Sequence, residues 1–361
     1  MYDVVIIGAG LYGSVFARIC KDAGKSVLVV DERNHIGGNV YDEKINNITV
    51  QKYGAHIFHT SNEEVWNFLN KYTKFKPFIN EVKAKYKNKT YSLPFNMNTF
   101  EEIYKCNSIE EAKKIINEKT KKYKNIVPTN LEEQALKLVG KDIYEILIKG
   151  YTEKQWLNSC DKLPPEIITR LPLRFEYNNN YFNDIFQGIP ENGYTELIKK
   201  LLEGIDIKLN FKTFDLIGKF NVYCGKIDEF FNYKYGKLDY RTVKFENEII
   251  NKSYFQDRAV VNYTEKTIPY TRIIEHKYFL NENSDKTIIT KEFPIEYSDK
   301  CIPYYSINNE KNNNLYKKYK EEASKIKNLL ISGRLGKYKY YDMDDVVELA
   351  IKEANEYLKN N

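Results

Sequence analysis

The 361-residue sequence predicts an α/β fold: a parallel-stranded domain that carries an inserted helical domain and an antiparallel sheet domain. Three observations predict it. A strand–glycine–helix–strand unit opens the chain, capped helical periodicity runs from about residue 99 to 173, and β-branched, aromatic runs separated by turn residues fill 238–306. In the opening unit, residues 2–7 (YDVVII) have the composition of a buried parallel strand. Gly8, Gly10 and Gly13 follow as GAGLYG, and a helical stretch (VFARICKDAG) ends at Gly24. Residues 26–30 (SVLVV) form a second strand with Asp31 at its C-terminal end. The spacing is that of a dinucleotide-binding βαβ unit. Gly8 allows the tight turn, Gly10 lets backbone approach a pyrophosphate, and Gly13 allows close helix–strand packing. The helix N-terminus offers N–H groups to phosphates, and Asp31 can accept from both hydroxyls of an adenosine ribose.

NAD and FAD share this device, and the next segment separates them. Glu32, Arg33, Asn34, His35, Ile36, Gly37, Gly38 and Asn39 follow Asp31. An acid, an arginine and a glycine pair resemble the extended FAD fingerprint of glutathione-reductase and amine-oxidase type proteins. The far end agrees: 328–332 (NLLIS) predicts a strand, GRLG follows at 333–336, and Asp342-Met343-Asp344-Asp345 opens a helix through about Tyr357. The FAD-binding Rossmann-like domain is therefore assigned to 1–75, 190–230 and 322–361. The helical insertion is assigned to 97–176, and the antiparallel sheet domain to 76–96, 177–189 and 231–321. Within the insertion, Ser108 with Glu111 and Asn130 with Glu133 fit capping boxes, and Gly140 and Gly150 suit helix C-termini. A helix over 195–203 leads to strands near 205–211 and 220–224 that rejoin the first domain. The Asn-rich patches at 178–180 and 308–314 are assigned to loops, the former as a candidate lid segment.

Hydrophobic residues at 42% and charged residues at 29% permit a large core and exclude global disorder. No apolar run approaches the roughly 18 residues of a spanning helix, and no secretory signal opens the chain, so a soluble cytoplasmic protein is expected with no membrane partner. The net charge of +6 is spread over lysines interspersed with acids, which disfavours nucleic acid as a partner. Five cysteines without a CxxC pair favour reduced thiols over disulfides or zinc. The 31 Tyr and 19 Phe against 2 Trp suit ring or sugar recognition, although a codon bias towards Tyr, Asn, Lys and Ile accounts for much of that excess.

Collinear stretches then carry a resemblance: RNHIGGN (33–39), KYGAHIFHT (52–60), LPFNMNT (93–99), LEEQA (131–135), GYTEKQW (150–156), NNYF (179–182), PYTRIIEHK (269–277), IPYY (302–305) and GRLGKYKYYDMD (333–344). Along nearly its whole length the sequence resembles the bacterial UDP-galactopyranose mutases. The resemblance implies an isomerase that interconverts UDP-galactopyranose and UDP-galactofuranose with reduced FAD and no net redox. In that chemistry flavin N5 forms the covalent adduct with the anomeric carbon, so no side-chain nucleophile is required. It also implies a role in cell-surface galactofuranose glycans, a homodimer and an unidentified flavin reductant. It leaves open whether the N-acetylated sugar is also a substrate.

Carried over by motif, Arg170 (TRLPLR) and Arg272 (PYTR) are diphosphate clamps, since guanidinium groups donate bidentately and remain charged. Arg174 lies close enough in sequence to be mistaken for Arg170. Tyr181, Tyr305 and Tyr340 add phenolic donors to the same oxygens. Tyr151 is the uracil-stacking residue, with Thr152 and Trp156 beside it; Trp156 suits a helix-packing seam equally well. Leu147 stands where some relatives have Phe. His56 and His59 invite a metal reading, but strand spacing puts them on opposite faces and no further ligand accompanies them. The resemblance instead places them near flavin N5 or the sugar. Asn80, Asn262 and Glu292 fall at sugar- or flavin-side positions. Arg33, Gly38, Asn39, Arg334, Asp342 and Met343 fall at the cofactor, where a helix N-terminus would stabilise negative charge near N1. Lys226 replaces a proline common in relatives and is expected to affect only a loop. Two rivals are an amine-oxidase type oxidoreductase and a non-catalytic nucleotide-sugar module. No second strand–GxGxxG–helix unit supports an NAD(P)H-dependent version.

Overall fold

The structure, a computed structural model, describes residues 1–169 and 172–360. Its first sheet has five strands in the order Asp206–Lys208, Val27–Val30, Val4–Ile7, Phe220–Tyr223, Leu329–Ile331, every neighbouring pair parallel. Val4, Val5 and Ile6 have no exposed surface, as expected for strands covered on both faces. The expected opening unit is present: helix Leu11–Asp22 joins the first two strands and packs against the last helix, Met343–Asn360. Three distant parts of the chain thus build one sheet.

A seven-stranded sheet takes the order Tyr305–Ser306, Tyr240–Ile250, Thr287–Ile295, Arg272–Glu275, Val260–Tyr263, Lys83–Tyr86, Lys89–Ser92. It is antiparallel except where Val260–Tyr263 runs parallel to Lys83–Tyr86. Phe58–Thr60, Phe186–Pro190 and Phe75–Pro77 make a third, small sheet, and Asp42–Ile45 pairs with Ile48–Gln51 as a hairpin. Along the chain between strands Lys89–Ser92 and Phe186–Pro190 come helices Met97–Tyr104, Ile109–Thr120, Leu131–Ile143, Lys149–Trp156 and Glu166–Thr169.

Several local expectations change. Gly140 (φ 76°) kinks Leu131–Ile143 and does not end it. Gly150 lies inside Lys149–Trp156, where an added Cβ would stand 2.1 Å from the Thr264 carbonyl oxygen. That glycine marks contact between the helix and the segment after strand Val260–Tyr263, which no local pattern encodes. Ser108 accepts from Glu111 N at 3.1 Å, but the Glu111 carboxylate takes the N–H of Asn107, one residue before the cap. Asn130, Glu133 and Thr129 repeat this offset. Residues 308–314 are not a loop, because helix Glu310–Ser324 begins there. Asn309 caps it by accepting from Asn312 N, and the buried Asn312 amide donates to the Ile307 carbonyl. The asparagines serve the helix start and do not interrupt it. Lys226 also does more than shape a loop. Its buried ammonium group meets the hydroxyls of Tyr297 (3.2 Å) and Tyr233 (3.4 Å) and the Glu229 carboxylate (3.3 Å).

The tightest constraint is at the opening glycines. Gly8 adopts φ 127°, and a Cβ on Gly13 would lie 2.0 Å from the Gly8 carbonyl oxygen. Neither backbone can yield without moving strand against helix. Gly13→Ala is therefore expected to lower stability by about 1–3 kcal/mol, read as a shift in the urea unfolding midpoint. An unchanged midpoint would mean that the helix is free to slide.

Candidate active site

The first half of the site is a backbone cradle. Gly10 precedes helix Leu11–Asp22, which has no side-chain cap and no acid in its first turn, so its leading N–H groups keep their positive character. Gly10 faces Gly37 in a bridge, and Gly38 (φ 54°) would bring a Cβ to 3.0 Å from Gly10 Cα. Asp31, nearly buried, accepts from Ala9 N at 2.7 Å and Arg33 N at 2.9 Å. It therefore ties the glycine turn to the second strand, and each oxygen keeps a further lone pair. Arg33 lies over the Tyr53 ring (4.8 Å) and donates through Nη2 to Asn39 Oδ1 (2.9 Å). Its Nη1 is buried with no hydrogen-bond partner among the described residues. A cavity of about 510 Å³ opens beside Arg33, His35, Tyr53, Asn210 and Lys212. A glycine-lined helix N-terminus, an acid at the strand end and an unpaired buried guanidinium N–H fit a bound dinucleotide.

The second half gathers on the seven-stranded sheet. Arg272 opens its strand, and its Nε donates to Glu292 Oε2 at 2.8 Å on the neighbouring strand. Glu292 is 1% exposed and also accepts from the Thr271 hydroxyl (3.2 Å). Burial works against the Arg272 charge, yet Glu292 with the phenols of Tyr151 and Tyr305 raises its pKa well above the usual value. Tyr305 stacks on Tyr340 (5.7 Å between ring centroids, 22°), and Arg334 lies over Tyr340 at 5.0 Å while donating to the Tyr304 carbonyl. Next to Arg272 in strand register is Asn262. The buried side-chain oxygens of Asn262 and Asn80 have no hydrogen-bond partner among the described residues. Such orphaned oxygens suit a ligand donor.

His56 feels the charges of both Arg334 and Arg272. Its Nδ1 donates to the Gly54 carbonyl at 2.9 Å, and Gln51 clamps its peptide by accepting His56 N (2.6 Å) and donating to His56 O (3.0 Å). Burial pulls its pKa down to about 4, with the charges of Arg334 and Arg272 adding to the effect.

The other sequence-selected residues divide by what they touch. His59 lies in strand Phe58–Thr60 with Nδ1 on the Asp184 carboxylate (2.7 Å) and its ring stacked on Phe182 (3.7 Å, 18°). Tyr181 donates its backbone N–H to the Asn80 carbonyl. Thr152 is buried and Trp156 half-buried on helix Lys149–Trp156. Leu147 is buried in the preceding π-helical turn. Met343 begins the last helix, where Asp345 Oδ2 accepts from Asp342 N (3.1 Å), so the chain itself supplies the acid at that N-terminus. Arg170 lies outside the described residues. Arg174 spends its guanidinium on the loop at 178–183, donating to the Asn178 and Asn180 carbonyls and Asn183 Oδ1. Sequence reasoning missed Asp184, Gln51 and Lys154. Among these only Lys154, a lysine within the quoted GYTEKQW stretch, carried a signal.

Fold and site together define a Rossmann-like enzyme of the α/β class shared by amine oxidases and mutases. A family described as UDP-galactopyranose mutase matches residues 146–340, and one described as NAD(P)-binding Rossmann-like domain matches 6–72. The chain is 40% identical to the dTDP-fucopyranose mutase of Escherichia coli over 100% of both chains. It is 36% identical to the UDP-galactopyranose mutase of Mycoplasma genitalium, covering 99% of this chain and 95% of the relative. A crystal structure of reduced UDP-galactopyranose mutase superposes with a TM-score of 0.79 at 13% identity, covering 100% of this chain and 96% of that one. Putrescine oxidase superposes at 0.60 with 10% identity, over 99% of each chain. The chain belongs to the UDP-galactopyranose mutase family.

Two histidines, His276 buried and His56 half-buried, set an acid limit on stability. His276, whose Nδ1 accepts from Gln51 N and whose Nε2 donates to Thr290 Oγ1, is pulled down by burial to about 3. Both folded pKa values, about 4 for His56 and about 3 for His276, lie below the roughly 6.5 of an unfolded histidine. The unfolded chain then binds more protons between these limits, so stability rises with pH there and is lost as pH falls from about 6.5 towards 4. His276→Asn should flatten this limb in urea unfolding measured at pH 7, 6 and 5; an unaltered slope would refute it.

Proposed function

We propose that the protein is a flavin-dependent isomerase interconverting UDP-galactopyranose and UDP-galactofuranose without net redox, in the cytoplasm and for cell-surface galactofuranose glycans. The family assignment supports this reading, and the arrangement around Arg272 carries it. A half-buried guanidinium group held by a buried carboxylate and facing the electrostatic influence of two phenols is chemistry suited to a nucleotide diphosphate. FAD would be held by Gly8, Gly10, Gly13, Asp31, Arg33, Gly38 and Asn39, with His56, Arg334, Asp342 and Met343 towards its ring. When bound and reduced it supplies the nucleophile, N5, for the anomeric carbon.

The chain's own residues bind and orient. Arg272, with Arg170, holds the diphosphate both before and after it leaves the sugar. Tyr181, Tyr305 and Tyr340 donate to the same oxygens. Tyr151 stacks on the base, with Thr152 and Trp156 on the same helix. The orphaned oxygens of Asn80 and Asn262 accept from sugar hydroxyls. His56, held neutral, offers Nε2 as an acceptor without adding repulsive or attractive charge, and His59 with Asp184 orders the neighbouring wall. The protein acts as a homodimer, and its reductant is a separate electron donor.

One observation favours a second substrate, a dTDP-fucopyranose: the Escherichia coli relative named for that reaction matches over the whole of both chains. Product analysis with UDP-galactose, UDP-N-acetylgalactosamine and dTDP-fucose separates these readings. We expect a yellow protein that converts UDP-galactofuranose to UDP-galactopyranose only after dithionite reduction. Anaerobic reduced protein with bound FAD and no turnover on any nucleotide sugar would refute the reading; conversion of dTDP-fucose alone would replace it. Arg272→Lys keeps a charge beside Glu292 but loses the fork. It is expected to lower turnover about a hundredfold and weaken UDP binding in calorimetry.

A further inference from the structure

Helix Lys149–Trp156, which carries Tyr151, and strand Arg272–Glu275 belong to different parts of the fold. Their separation decides whether base and diphosphate can be held at once. Three features join them. Gly150 lets the helix approach until a Cβ would be 2.1 Å from the Thr264 carbonyl oxygen. The Thr264 hydroxyl donates to the Ile146 carbonyl at 2.6 Å, one turn before the helix. Lys154, 9% exposed, donates from its ammonium group to the carbonyls of Tyr263 (2.7 Å), Ile268 (3.0 Å) and Tyr270 (2.8 Å). These carbonyls bracket the turn that delivers the chain to Arg272; the turn is closed by Tyr263 N donating to Thr271 O (2.8 Å).

We propose that Lys154 is a positioning residue of the nucleotide site: its three N–H donors lock the 263–270 turn to the helix and so fix the distance between Tyr151 and Arg272. An ammonium group has three donors and no acceptor, which matches three converging carbonyls. An apolar side chain would leave those carbonyls unpaired, and a planar guanidinium group cannot direct its donors to all three. Burial pulls the ammonium pKa down to about 8, so the charge is kept out of water by these bonds. Lys154 faces Glu265 on the turn, while the neighbouring Glu153 pairs outward with Lys266 (3.0 Å). Among the described residues no carboxylate forms an ion pair with the Lys154 ammonium group, whose hydrogen-bond partners are the three carbonyls.

The proposal rests on the nucleotide-sugar reading, and its test uses UDP binding to the flavin-loaded full chain by calorimetry, alongside steady-state kinetics and thermal unfolding. Lys154→Met is expected to raise the UDP Kd and the substrate KM about tenfold while kcat stays within about threefold. Lys154→Arg should recover part of the affinity. A lower Tm with unchanged Kd and KM would overturn the proposal, since a merely structural lysine changes the amount of folded protein and not the affinity of what folds. Should Lys154→Met not fold, Thr264→Val removes the bond to Ile146 and is expected to move UDP affinity in the same direction; an unmoved Kd overturns the proposal equally. A parent protein that binds no UDP would instead overturn the functional reading beneath it.

Discussion

The molecule is organised around an ion pair in which the carboxylate, Glu292, is taken out of water and the guanidinium group of Arg272 is half-buried beside it. A buried carboxylate requires a cation in hydrogen-bond contact, and removal of the partner of a fully buried pair costs about 3–5 kcal/mol, less where one partner keeps some solvent contact. Arg272 and Glu292 meet this requirement across neighbouring strands. Because each strand fixes its own side chain, the pair can hold the guanidinium face towards Tyr151 and Tyr305 without the flexibility of a surface arginine. The seven-stranded sheet is in this sense the frame for one charge, and the loop bearing Gly54 and His56 lies against it: a Cβ on Gly54 would come within 3.9 Å of Glu292 Oε2.

The parallel sheet solves a different problem, close approach of backbone to backbone. Its cradle is made of absences: no Cβ at Gly8, Gly10, Gly13 and Gly38, and no acidic side chain in the first turn of the helix. Charge enters only at the rim, through Asp31 and Arg33. The last helix returns to this sheet and is pinned by Glu353, which accepts from Tyr12 (2.5 Å) and Ser332 and pairs with Lys337 (2.8 Å). Tyr12 sits between the opening glycines and Ser332 directly before Gly333, so one carboxylate joins the cradle to the segment that carries Arg334.

The two halves differ in how much of them could be read directly. The cradle was legible because its parts lie within about 30 residues and each obeys a local rule: strand composition, glycine where a Cβ cannot fit, an acid at the strand end. Arg272 was legible only through a motif, and nothing near it in sequence pointed to Glu292 as its partner. His59 and Asp184 are 125 residues apart, and Lys154 reaches carbonyls 109 to 116 residues away. Gly150 and the asparagines at 309 and 312 were misjudged for the same reason. Local rules assign glycine to ends and asparagine to loops, while here one serves a contact between segments more than a hundred residues apart and the others start a helix.

What the sequence by itself determined is therefore the opening βαβ unit, the alternation of helical and β-rich regions and the motifs that mark the family, because these depend on interactions between near neighbours in the chain. What only the tertiary structure decided is which polar groups are drawn away from water and what meets them: Glu292 for Arg272, three carbonyls for Lys154, Asp184 for His59. Burial is a property of the whole packed molecule, and a side chain's protonation, orientation and reach follow from it.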